Sequence, residues 1–309
     1  MNQNKSISEA EWEIMRIVWD QSPVTSTTII KALQNATGWM PTTVKTLLSR
    51  LVSKEILSFE KVGRSFYYTP KMTEEACVKS EIESVIGKIY GGGICYESQH
   101  FIIKGHSDDA HTETLAQTLE TMYPKLTSDL EFYPSDRLIV YIHTSQKRLH
   151  SALGLLEGPT WLRAGHLWGM IHLAPKHCFD DIAPDKMAVH TLSLLLTEKI
   201  NPSAPYWLHQ GIASYESGWL TQERIFKVLP SRSILAEMQK MQESYLSFKA
   251  ISGYELSYSV VDFIVRTYGI NKLSAFIRKP YNFLDVFGES EELFWHKWEK
   301  SHQEAMIKF

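Results

Sequence analysis

Residues 38–68 read GWMPTTVKTLLSRLVSKEILSFEKVGRSFYY, and two periodicities succeed one another within them. Val44, Leu47, Leu48 and Leu51 fall at i, i+3, i+4 and i+7, the spacing that gives an α-helix one buried face. Pro41 stands where a helix favours proline, in its first turn. The opposite face carries Thr42, Thr43, Lys45, Thr46, Ser49 and Arg50, all polar and two of them cationic. Beyond Ile56 the period changes. Leu57 and Phe59 alternate, Val62-Gly63 supplies a turn, and Phe66 and Tyr68 return, so a β-hairpin with Arg64 near its tip is expected.

Working outward, Ser8 with Glu11 three residues on is a capping-box start, and Ile14, Ile17 and Val18 with Trp12, Met15 and Trp19 make the stripe of a first helix. After Pro23, Thr25 or Ser26 can cap a second helix through Ile29, Ile30 and Leu33, which the turn residues near Gly38 stop. A helix, a tight turn and a helix with a polar cationic face form a helix-turn-helix, whose second helix enters the major groove, and the hairpin makes it a winged helix. The charge pattern agrees. The chain carries a net charge of −3, yet residues 38–68 hold five basic residues against two acidic ones. A local basic excess on a neutral protein suits a small DNA-reading surface.

From Thr73 a further helix carries Ile82, Val85, Ile86 and Ile89 at i, i+3, i+4 and i+7 and runs into Gly91-Gly92-Gly93. Such a stripe needs a partner surface, and a second copy of the chain is the simplest one. Three segments follow: a winged-helix domain over 1–72, a dimerisation helix and glycine linker over 73–93, and a separate unit over 94–309.

ISEAEWEIMRIVW, WMPTTVKTLLSRLVSKEIL, EKVGRSFYYTP and EEACVKSEIESVIGKIYGGG, together covering about residues 7–93, resemble the bacterial repressor family that includes the penicillinase, methicillin-resistance and copper-responsive repressors. The resemblance implies a winged-helix repressor that binds palindromic operators on double-stranded DNA as a homodimer. By position it places Thr42, Thr43, Lys45, Thr46 and Arg50 on the recognition helix and Arg64 in the wing. Members of that family normally end soon after this point, with a short helical tail, and the copper branch's cysteine cluster is absent here.

At 309 residues, 44% hydrophobic and 22% charged, the chain suits two well-filled domains. No signal pattern opens it, and no window approaches the ~20 apolar residues of a membrane span. A cytoplasmic protein that makes no membrane contact is expected. Cys77, Cys95 and Cys178 are odd in number and far apart, which suits free thiols and no metal or cofactor site.

After the linker the pattern is α+β. HFIIKG and RLIVYIH read as strands, Ala110 to Tyr123 as a helix between them and GHLWGMIHLAP as one further strand, and almost everything beyond Asp185 has helical period. Residues 189–218, VHTLSLLLTEKINPSAPYWLHQGIASYESG, hold the segment that bears on chemistry. In a zinc peptidase of the HExxH type, two His one helical turn apart hold the metal, the Glu between them activates water and a later Glu completes the site. Here the pentapeptide is HTLSL. Thr191 stands in place of the base and Leu194 in place of the second ligand.

The stretch PYWLHQGIASYESG, with GHLWGMIHL before it and YSVVDFIVRTYGINKLSAFI and FWHKWEKS after it, resembles the gluzincins and related peptidase-MA-like domains over roughly residues 95–300. The resemblance puts Gln210 where that family has its third ligand, a Glu. One His, a leucine and an amide lack the charge and ligand number that zinc prefers. The expected fold is thus an N-terminal winged helix-turn-helix followed by an α+β zinc-peptidase-like domain without its metal ligands. The expected remnant is a non-catalytic cleft, its candidate ligand-binding residues being Trp168, His190, Trp207, Gln210, Tyr215 and Tyr258, with Gly169 to Leu173 able to pair with an extended peptide.

The function expected is a dimeric repressor of resistance or envelope-stress genes, induced by a small molecule or peptide. Two alternatives stand beside it. One is a DNA-bound metalloprotease that cleaves itself or a partner, marked by stoichiometric zinc that depends on His190. The other is a C-terminal scaffold that only enforces dimerisation.

Overall fold

The computed structural model describes residues 7–63, 65–78, 80–81, 93–105, 109–180, 182–225, 227–228 and 245–307. They belong to two compact units, Met1–Gly91 and Gly92–Phe309.

In the first unit, α1 (Glu9–Gln21) starts on the capping box: the Glu11 amide donates to Ser8 Oγ, and the Ser8 amide donates to the Glu11 carboxylate at 2.8 Å. Thr25, which ends the two-residue strand β1 (Val24–Thr25), caps α2 (Ser26–Thr37) by accepting from the Thr28 amide. Gly38 closes α2 at φ 73°, in the left-handed region that glycine enters without strain. Three residues later α3 (Pro41–Ser53) opens with proline in its first turn. Val44, Leu47, Leu48 and Leu51 of α3 meet Ile14, Met15 and Val18 of α1 and Ile29 and Leu33 of α2 in one core.

Strands β2 (Leu57–Val62) and β3 (Ser65–Pro70) pair antiparallel with Phe59 opposite Tyr68 and Val62 opposite Ser65. The pairing therefore reaches one residue closer to the tip than the expected Val62-Gly63 turn. β1 joins β3 as a third strand, with Val24 opposite Tyr68, giving the order β1-β3-β2. This is a winged helix-turn-helix. Glu11, 1% exposed, ties the start of α1 to the end of α3 through Lys54 Nζ at 2.7 Å. Burial pushes the Glu11 pKa up, but the bonds from Lys54 and Ser8 outweigh it, and the carboxyl sits below its usual range. Arg64 and the expected apolar stripe Ile82–Ile89 lie outside the described residues.

In the second unit, β4 (Ile94–Glu97), β5 (Phe101–Gly105), β6 (Leu138–Ile142), β7 (Ala164–Leu167) and β8 (Met170–Leu173) form a mixed sheet in the order β4-β5-β6-β8-β7. β5, β6 and β8 run parallel, and both outer strands are antiparallel to their neighbours. GHLWGMIHL, expected as one strand, is the β7–β8 hairpin: Trp168 at φ 51° and Gly169 at φ 74° turn the chain back. The apolar run concealed the turn because tryptophan is not a turn-forming residue. β8 is consequently paired on both sides, so Gly169–Leu173 cannot accept an added peptide strand.

The helices among the described residues are α4 (Asp109–Asp129), α5 (Gln146–Ala152), α6 (Pro184–Ile200), α7 (Tyr206–Ser217), α8 (Gln222–Ile225), α9 (Tyr245–Ala250), α10 (Gly253–Tyr268), α11 (Ile270–Arg278), α12 (Phe283–Phe287) and α13 (Glu291–Met306). α4 continues past Pro124, six residues beyond the expected end at Tyr123. Thr127 Oγ1 donates to the Tyr123 carbonyl there. Leu192 and Leu196 of α6, Leu208 and Ile212 of α7 and Val260 and Ile264 of α10 share a core with Ile103, Val140 and Ile171 of the sheet.

Candidate nucleic-acid interface and ligand cavity

Burial of one face of α3 leaves Thr42, Thr43, Lys45, Thr46 and Arg50 all exposed on the other. At 3.6 residues per turn, Lys45 and Arg50 stand about 140° apart around the axis and bracket Thr42, Thr46 and Ser49. Thr46 Oγ1 donates to the Thr42 carbonyl at 2.9 Å, which sets its side chain along the helix. Among the described residues neither Lys45 nor Arg50 has a carboxylate partner. Two cations held outward without internal neutralisation around short hydroxyl side chains are equipped for phosphate and base-edge contacts. In the wing, Phe59 and Phe66 meet edge to face at 5.5 Å with Lys61 over the Phe66 ring.

In the second unit, α6 places His190, Leu194 and Glu198 at i, i+4 and i+8, on one face. Leu194 and Glu198 line a cavity of about 340 Å³ together with His209 and Gln210 of α7 and His166 of β7. Tyr206 and Tyr281 are also at its wall. His166 Nδ1 lies 3.1 Å from Glu198 Oε2. Burial pushes the His166 pKa down, Glu198 pulls it up, and the balance stays below the usual value, which leaves a neutral ring with one of its two nitrogens an acceptor. His209 Nδ1 donates to Thr197 Oγ1 at 2.9 Å, because that hydroxyl spends its own proton on the Leu194 carbonyl.

His190, 5% exposed, is held neutral, its pKa pushed down to about 3 first by burial and then by His166. His190 Nε2 and Gln210 Oε1 are buried and have no hydrogen-bond partner among the described residues. Each orphan costs on the order of 1–3 kcal/mol, and such costs concentrate where function needs them.

Of the six residues expected at the cleft, Gln210 lines the cavity and His190 lies one turn along the same face of α6. The other four do not converge there. Trp168 is 56% exposed at the hairpin tip, whereas Trp207, 4% exposed, is a core residue between Trp295 and Phe276. Tyr215 and Tyr258 pack ring against ring at 5.7 Å. The family resemblance placed these aromatic side chains in cleft-lining segments, and a position in a segment does not separate core from cavity. His166, Glu198 and Tyr281 were missed. Glu198 had a signal, since it continues the i, i+4 series from His190 and Leu194.

The zinc implied by the peptidase resemblance does not fit these residues. Leu194 has no donor atom, Gln210 offers a neutral amide, and Thr191 Oγ1 is committed to the Met187 carbonyl at 2.8 Å. Among the described residues no three His, Cys, Asp or Glu side chains group so as to hold a metal ion.

Comparison with known proteins finds that a family model described as penicillinase repressor matches residues 7–121. That match runs beyond the sequence resemblance, which ended near residue 93, and stops inside α4. The penicillinase repressor of Bacillus licheniformis is 31% identical over 120 residues, covering 39% of this chain and 94% of that protein. The methicillin resistance regulatory protein MecI of Staphylococcus aureus is 31% identical over 119 residues, 38% of this chain and 96% of that protein. Among solved structures, the DNA binding domain of the repressor BlaI is 39% identical, covering 24% of this chain and 90% of that one at a TM-score of 0.23.

Proposed function

The chain belongs to the penicillinase repressor family, and from that premise we propose that it is a homodimeric repressor of resistance or envelope-stress genes, with a non-catalytic, peptidase-like C-terminal unit that senses a small molecule or peptide. The exposed face of α3, with Lys45 and Arg50 unneutralised among the described residues, carries the DNA-binding part of this reading. Two such helices about one DNA turn apart engage a palindromic operator, phosphate contacts giving affinity and the threonines meeting base edges. No described helix is long and apolar enough to cross a membrane.

Support for sensing comes from the cavity, which keeps buried unsatisfied groups at Gln210 and beside it at His190 while Leu194, Thr191 and Gln210 replace a peptidase's chemical groups. A ligand there acts on DNA binding only by its differential affinity for two arrangements of the dimer.

The test is a band shift on an operator with the double variant Lys45→Ala, Arg50→Ala. Affinity should fall at least ~100-fold, and the slope of log affinity against log salt should shrink by about two counterions. Wild-type affinity in the double variant refutes the assignment of the reading face.

A further inference from the structure

We propose that the cavity between α6, α7 and β7 binds an organic cation through a primary ammonium group, with Glu198 and Gln210 as the acceptors and Tyr206 and Tyr281 as the walls. The inference rests on the reading of the C-terminal unit as a sensor and names the chemistry it would sense.

The argument is one of complementarity. Among the described residues no lysine or arginine lines the cavity, and the one formal charge among them is the Glu198 carboxylate. An anionic ligand would meet that carboxylate with no cation to offset it. The buried Gln210 Oε1, on a residue 6% exposed, is an acceptor without a partner. A purely apolar ligand would leave it unsatisfied and lose the affinity that such a bond contributes. His166 lines the same cavity, and a neutral imidazole keeps one ring nitrogen as an acceptor. Three acceptors of different geometry suit the three N–H donors of an ammonium group. The faces of Tyr206 and Tyr281 attract cations as well, and Tyr281, 66% exposed, stands at the mouth. A volume of about 340 Å³ fits a small amine or the first residues of a peptide, at the lower end of ligand sites.

Two sources share this chemistry, a free amine and a peptide N-terminus, and the experiment separates them. The full-length protein is titrated, by calorimetry and ligand-observed NMR, with tyramine, trialanine, the N-acetyl form of each, and phenylacetate. Saturable binding of tyramine or trialanine is expected, weakened at least ~10-fold by acetylation and about 10-fold by Glu198→Gln, a substitution at a half-exposed side chain that leaves the fold intact. Tyramine alone assigns free amines; trialanine assigns peptide termini. Equal binding of the acetylated probes, preference for phenylacetate, or indifference to Glu198→Gln overturns the ammonium proposal and leaves a sensing cavity of other chemistry. Absence of saturable binding by every probe up to millimolar concentration overturns both.

Discussion

Replacing Gly211 by alanine should destabilise the C-terminal unit by about 2 kcal/mol, although alanine is the better helix former. Gly211 sits mid-way along α7, where α10 comes close. A Cβ built there falls 2.6 Å from the Ser257 carbonyl oxygen, 2.9 Å from its carbon and 2.9 Å from Val261 Cγ2, where ordinary contact begins at 3.4 Å. The valine methyl can yield. The carbonyl belongs to the backbone of α10 and retreats only if the two helices part by several tenths of an ångström. Overpacking of this kind costs roughly 1–3 kcal/mol, occasionally more, and a backbone obstacle places Gly211 at the upper end. Alanine returns about 1 kcal/mol of helix propensity, so the net loss is about 2 kcal/mol. For a unit of this size that lowers Tm by roughly 4–8 °C. Near-UV circular dichroism during urea and thermal unfolding reads the change. Because Gln210 precedes Gly211, parting the helices should also weaken probe binding in the cavity. A variant as stable as the wild type, or more so, refutes the close approach of α7 and α10 and with it the geometry of the cavity wall.

Trp207→Ala should cost ~3–5 kcal/mol in urea unfolding as a core truncation, whereas Trp168→Ala, at an exposed hairpin tip, should stay within ~0.5 kcal/mol; equal losses would show that the two tryptophans are wrongly placed. His190 folds as a neutral ring with a pKa of about 3, while the unfolded chain binds its proton near pH 6.5. Its contribution to stability is therefore full above that pH and declines toward pH 3, by up to about 1.4 kcal/mol per pH unit. His190→Leu should flatten the acid side of the stability profile, and an unchanged slope would contradict the burial of the ring. Lys54→Met leaves Glu11 buried without its cation and should cost roughly 1–2 kcal/mol at pH 7, discounted for the partial exposure of Lys54. Since the folded pKa of Glu11 lies below the usual range, that contribution is complete above about pH 4.5 and disappears as pH falls through the folded value, so the two profiles should converge in acid.

The winged helix was legible because its signals are local. The capping box at Ser8 and Glu11, the glycine at 38, the proline at 41 and the stripe from Val44 to Leu51 each act within a turn or two of themselves, and the helices form where those residues stand. β1 was not legible, since two residues carry no period and exist as a strand only by pairing with Tyr67 and Tyr68. In the second unit the same rule explains the failures. Trp168 turns a hairpin against its own preference because β8 finds two partners, and Pro124 stays inside a helix that packing holds on both sides.

For function, the sequence by itself determined which chemical groups are present: a polar, cationic helix face, and His190, Thr191, Leu194 and Gln210 along two further helices. Periodicity and spacing suffice for that, because they report on one element at a time. Which residues meet was decided only by tertiary structure. His166 reaches Glu198 from a strand, Gln210 joins them from a second helix, and Trp207 turns away into the core. A cavity is the space left between elements, and its lining depends on how closely those elements approach, which at Gly211 is a matter of tenths of an ångström.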